Sequence, residues 1–147
     1  MKKNLFLAAM LLMCSATSIF AAEPQKSFVN VATSEDEKVA EIQFETMSQD
    51  FGTFSESNPV VKCVFKFKNV GDAPLIIHQA IASCGCTVPT YTKEPVQPGD
   101  SGQIEVTYNG KGKFPGKFKK SITVRTNAKT TAVVRLTVEG NMEKAGN

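Results

Sequence analysis

The sequence predicts an all-β chain folded as an immunoglobulin-like antiparallel β-sandwich of seven or eight short strands. Three observations carry this reading. Apolar residues recur with period two along most of the chain, no window holds the i, i+3, i+4, i+7 spacing of a long amphipathic helix, and turn residues punctuate the runs at sandwich-like intervals. Two packed antiparallel sheets bury such half-apolar strands most simply; a closed barrel is the structural alternative. The 147 residues are 41% hydrophobic, 21% charged and 8% aromatic, which excludes both a disordered chain and a multi-span membrane protein.

Taken in order, Ile42 and Phe44 alternate with Glu41, Gln43 and Glu45, and Phe51 and Phe54 flank Gly52 in a short second segment. Val61, Cys63, Phe65 and Phe67 alternate with lysines, defining one buried and one wet face that Val64 interrupts. A turn cluster runs from Asn69 to Pro74, after which Leu75, Ile77 and Ile81 share one parity. Pro98 and Gly99 suit the central positions of a type II turn, and Asn109-Gly110 suits a tight hairpin turn. Ile104, Val106 and Tyr108 point inward together, then Phe118, Ile122 and Val124, then Val134, Leu136 and Val138.

At the N-terminus Lys2 and Lys3 precede an apolar run over 5–13, followed by small residues and Phe20-Ala21-Ala22. This is the pattern of a secretory signal peptide over 1–22, with cleavage after Ala21 or Ala22; the run is too short to span a bilayer, which takes about 20 apolar residues. Lipidation of Cys14 is the less favoured route, because Met13 stands where a small residue is ordinarily required. Residues 23–39, rich in charge around Glu35, Asp36, Glu37 and Lys38, are expected to form a flexible leader. The domain is then 40–142, with 143–147 a disordered tail and the polar stretch from Asn141 onward expected to fray. Without Lys2 and Lys3 the net charge falls from +3 to +1, too little to argue for nucleic acid as a partner.

The residues that carry possible chemistry are Cys84-Gly85-Cys86. Three readings compete: a local structural disulfide, a redox-active pair, and two thiolates for a soft cation such as Cu(I). The first and second need a bend that Gly85 permits. The third lacks further ligands, since the one histidine, His78, lies roughly 20 Å from Cys84 along a straight strand, and Met47 and Met142 are remote in sequence. Cys63 has core parity, and a bridge from it to Cys84 or Cys86 is a further possible pairing. Lys111, Lys113, Lys117, Lys119 and Lys120 surround Phe114 and Phe118. They read as a soluble strand edge before a site for an acidic partner or anionic polysaccharide. Glu94 and Asp100 are turn residues, Tyr91 and Tyr108 packing residues, and no acid, base and nucleophile set, phosphate loop or zinc spacing is found.

The strings Phe51-Gly52-Thr53, Phe65-Lys66-Phe67-Lys68-Asn69-Val70-Gly71, Ala82-Ser83-Cys84-Gly85-Cys86-Thr87, Gln97-Pro98-Gly99, Gly116-Lys117-Phe118 and Glu139-Gly140-Asn141 resemble, in this order, the bacterial exported family called domain of unknown function 1573. The resemblance covers 42–142. It implies an immunoglobulin-like sandwich similar to Hydin-type and major-sperm-protein-type binding modules, with Cys84 and Cys86 on the family's paired-cysteine motif. Cys63 stands where that pattern does not call for cysteine. The expectation is therefore an exported, non-catalytic binding or assembly module of the periplasm or cell envelope. Its partner is expected to be another envelope protein, with no cofactor and no transmembrane span in the mature chain. A thiol redox or Cu(I) protein built on Cys84 and Cys86 is the alternative.

Overall fold

A computed structural model describes residues 37–146. The expected signal peptide, Cys14 and most of the leader lie outside the described residues. Eight strands form two sheets: β1 (Ile42–Phe44), β2 (Ser48–Ser55), β3 (Val60–Asn69), β4 (Ile77–Ala82), β5 (Thr87–Tyr91), β6 (Ser101–Asn109), β7 (Gly116–Thr126) and β8 (Val133–Glu143). The first sheet has the order β1-β3-β6-β5 and the second β2-β8-β7-β4, and among the described residues there is no helix. The period-two runs meet between the sheets as the sequence predicts. Phe65, Phe67, Ile104 and Val106 from one sheet pack against Ile122, Val124, Leu136 and Val138 from the other, all of them buried. Each such side chain contributes roughly 1.5–3 kcal/mol relative to leaving it in water.

Turn chemistry fixes several connections. Gly99 takes φ +84°, and Asp100 N–H donates to Gln97 O at 3.0 Å, closing the expected turn around Pro98-Gly99. Asn69 is more than a turn residue. It is fully buried; its Nδ2 donates to Ala73 O (2.8 Å) and Val96 O (2.9 Å), and its Oδ1 accepts from Gly71 N–H (3.0 Å) and Glu41 N–H (3.5 Å). One amide therefore ties together the start of the domain, the β3–β4 loop and the segment before β6. Beside it, a Cβ on Gly71 would run into the backbone of Val39 and Glu41. Val39 itself is bound at its N–H by Asp72 Oδ1 (2.6 Å) and at its O by Asp72 and Ala73 N–H groups.

Four expectations are corrected. β2 joins β8 in parallel, not antiparallel: the chain leaves the first sheet after β1, crosses through Glu45 to Met47 and lies down on the second. Its register shifts between Asp50 and Thr53, where Gly52 takes φ +67° and donates its N–H to Asp50 Oδ1. In β4 the shared parity of Leu75, Ile77 and Ile81 breaks, because His78 is an extra residue between the pairs Ile77↔Thr126 and Gln79↔Arg125. Leu75 and Ile77 are buried whereas Ile81 is 51% exposed. Asn109-Gly110 is not a two-residue hairpin. Gly110 is packed, a Cβ there lying 2.6 Å from Met142 Sδ, and the chain turns later, with Lys113 N–H donating to Gly110 O and Gly112 at φ +71°. Nor does Asn141 begin a frayed end: β8 runs to Glu143, and Met142 is 2% exposed beneath that loop.

Candidate functional site

The Cys84-Gly85-Cys86 turn is the crossing point between the two sheets at one edge of the sandwich. β4 closes the second sheet and β5 closes the first, so residues 83–86 must carry the chain from one layer to the other. Both sides are pinned. Ser83 N–H donates to Ser121 O (2.8 Å) and Ser121 N–H to Ser83 Oγ (3.2 Å), while Asn109 N–H donates to Cys86 O (2.8 Å) and Thr87 N–H to Cys84 O (3.2 Å). The turn brings the two cysteine Cα atoms to 5.3 Å and their sulfurs to bonding distance. Both sulfurs are half-buried, and the buried Thr87 hydroxyl lies 3.6 Å from Cys84 Sγ and 3.8 Å from Cys86 Sγ. Gly85 is not what permits the bend: its φ is ordinary and a Cβ on it would meet open space.

Behind the turn lies an aromatic cluster. Tyr108 pairs across the ladder with Thr87 and stacks on Phe118 at 3.9 Å with an interplanar angle of 6°, and Phe54 meets both rings edge-on. Burial raises the Tyr108 hydroxyl above the ordinary tyrosine range. The cluster adjoins the cysteine turn through the Thr87–Tyr108 pair; the sequence marks Tyr108 and Phe118 as inward-facing but not as neighbours.

Cys63 stands apart. It faces inward from β3 opposite Val106, and Val106 in turn pairs with Pro89 of β5, so the first residue of the cysteine edge is two strands away, about 10 Å. Cys63 is a free thiol against the core, and burial pushes it up to about 11, which leaves it protonated and unreactive at neutral pH. His78 is exposed at the bulge of β4, its carbonyl accepting from the Tyr91 hydroxyl at 3.2 Å. Met47 is exposed and Met142 buried, and among the described residues no three His, Cys, Asp or Glu side chains converge on a point that would hold a metal. Glu94 and Asp100 are exposed, and the Lys93 ammonium sits 3.6 Å over the Tyr91 ring.

The four outer strands differ in how they meet water. β1 is three residues long, β2 carries Asp50 and a bulge, and β5 contains Pro89, each of them a device that discourages a further strand. β4 is bulged at His78, whose carbonyl the Tyr91 hydroxyl engages, but is otherwise unprotected. From Gln79 to Ala82 it is regular, without Pro or charge, and Ile81 stands on its outer face in a groove of about 470 Å³ shared with Thr123 and Arg125. Arg125 forms no salt bridge among the described residues. The sequence does not announce this edge, because His78 inverts the parity that would have hidden Ile81.

Comparison with known proteins agrees with the architecture. The family model described as "Protein of unknown function (DUF1573)" matches residues 42–142. A protein of unknown function from Porphyromonas gingivalis W83 is similar in structure at 15% identity and TM-score 0.61, over 71% of this chain and 47% of that one. The seventh PapD-like domain of human CEP192, also described as an ASH domain, is similar at 10% identity and TM-score 0.58, over 74% and 89%. The secreted serine protease VesC from Vibrio cholerae is similar at 12% identity and TM-score 0.51, over 76% of this chain but 25% of its own. This chain thus spans about half of the first of these proteins and a quarter of the third. These likenesses establish a PapD-like, immunoglobulin-like sandwich. No curated protein matches the sequence. The chain belongs to the DUF1573 family.

Proposed function

We propose that this DUF1573 domain is a non-catalytic binding or assembly module of the cell envelope, exported by cleavage after Ala21 or Ala22, and that it takes an extended segment of another envelope protein on the outer side of β4. The observation that carries this reading is the contrast among the outer strands. An edge with free N–H and C=O groups and no protecting charge or proline is a template for strand addition, and natural proteins ordinarily blunt such edges. Here β1, β2 and β5 are blunted, and β4, though bulged at His78, runs regular from Gln79 to Ala82 without proline or charge, with an exposed Ile81 to meet an apolar side chain of the incoming strand and Arg125 beside it for a carboxylate. The Cys84–Cys86 pair, held as a disulfide after export, is a short covalent clamp that fixes where this edge ends.

The test is a capture experiment from envelope extract with the wild type, Ile81→Lys and Val64→Lys. Both positions are exposed, but Val64 lies on β3, on the outer face of the other sheet and away from the edge. A lysine on the edge is expected to reduce the captured partner at least tenfold, with Val64→Lys unchanged. Equal capture by all three would reject β4 as the docking edge.

A further inference from the structure

The loop between β6 and β7 carries a feature that the docking edge does not use. Residues 109–120 contain five lysines and no acidic residue, with Phe114 near the middle. Phe114 is 96% exposed, so its ring touches almost nothing in the protein. The loop is not a loose tether. Lys111 N–H donates to Asn109 Oδ1 (2.9 Å), Lys113 N–H to Gly110 O (2.9 Å), Gly110 is packed against Met142, and Gly112 and Gly116 take φ of +71° and +141°. Hydrogen-bonded turn geometry therefore holds the backbone from which the phenyl ring projects into solvent. Lys111, Lys113 and Lys117 around it are exposed and form no salt bridge among the described residues, whereas Lys119 is paired with Glu139 at 3.1 Å. Of the acids at this end, Asp50 and Glu139 share a groove with Lys117, Glu139 being paired with Lys119, while Glu56 is engaged by the Ala145 N–H and Glu143 ends β8.

From this juxtaposition we propose that the 110–115 loop is a peripheral anchor for an anionic bilayer surface, Phe114 entering the headgroup and acyl boundary while Lys111, Lys113 and Lys117 meet lipid phosphates. A protein partner would have to supply a pocket for a ring that projects into solvent. A bilayer takes such a ring directly, and the surrounding cations match its charge. A single exposed apolar residue needs no explanation by itself. A fully exposed phenylalanine on a hydrogen-bonded turn, flanked by lysines that form no salt bridge among the described residues, combines the two weak signals, apolar burial and a polybasic cluster, that together hold a protein on a membrane. The site is independent of the β4 edge and of what binds there.

The chain has no tryptophan, so Phe114→Trp places a single reporter in the loop. The processed protein from the exporting cell is titrated with vesicles of phosphatidylcholine alone or with phosphatidylglycerol added, and tryptophan emission and quenching by brominated acyl chains are followed. Reading the ring itself separates this loop from any lipid carried at Cys14. The expected result is a blue shift and quenching with phosphatidylglycerol vesicles only. In sedimentation, Phe114→Ala is expected to weaken binding about tenfold, and each of Lys111→Gln and Lys113→Gln about fivefold. An unshifted, unquenched tryptophan, equal binding to both vesicle types, or an undiminished Phe114→Ala variant would each overturn the proposal. Since Phe114 lies outside the core, unchanged thermal unfolding of the variants shows that a loss of binding is not a loss of fold.

Discussion

At one end of the sandwich the buried Asn69 amide joins backbone groups of Glu41, Gly71, Ala73 and Val96. At the other, the cysteine turn and the 110–115 loop leave Ile81, Val88 and Phe114 in water. The first end is closed by polar groups that satisfy one another, the arrangement that makes a buried amide stabilising. The second is held just as firmly by hydrogen bonds from Ser83, Thr87 and Asn109, yet it spends that rigidity on presenting apolar side chains outward. Order at the first end serves the fold; at the second it positions surfaces for something outside the chain.

The contrast is broken most strongly at Asn69. Asn69→Ala leaves the Ala73 carbonyl and the Gly71 N–H without their partner, while the Val96 carbonyl keeps only the Leu75 N–H, and the substitution is expected to cost about 3 kcal/mol in urea unfolding. Cys84→Ser with Cys86→Ser, at the other end, removes a bridge that closes so short a loop that the loss is expected to cost only about 1–2 kcal/mol, measured in the same way. A third effect depends on pH. Because burial raises the Cys63 thiol from 9.0 to about 11, the fold favours its neutral form. The stabilisation is complete below pH 9 and is lost as pH rises through 11, so Cys63→Val is expected to flatten the fall in stability across that window relative to wild type. Gly85→Ala is the smallest change, expected within about 0.5 kcal/mol of wild type, since the added methyl meets open space.

Much of the first comparison was legible in the residues. Period two alone places Phe65, Phe67, Ile104, Val106, Leu136 and Val138 in the core, because a strand has only two faces and one of them is packed. What period two does not carry is any local change of count. The extra residue His78 turns Ile81 outward, and the crossover after β1 gives β2 a parallel partner, both set by packing between distant strands. Asn69 and Gly110 look like turn formers because their chemistry suits turns; that each is instead buried against remote backbone or Met142 depends on contacts the sequence does not display. Cys84 and Cys86 were visible as a pair, and their spacing implied a bend. Their place between two sheets, beside the regular Gln79–Ala82 stretch of β4, appears only when β4 and β5 are assigned to different layers.

The most direct test of β4 as the receiving edge is site-specific photocrosslinking in the exporting cell. A photoreactive residue is placed at Gln79 or, as a comparison, at Thr107, which faces outward from the middle of the first sheet. An adduct at position 79 that is absent at 107, and that disappears when Ile81→Lys is added, is the predicted result. Equal adducts at both positions, or an adduct at 79 that survives Ile81→Lys, would contradict it.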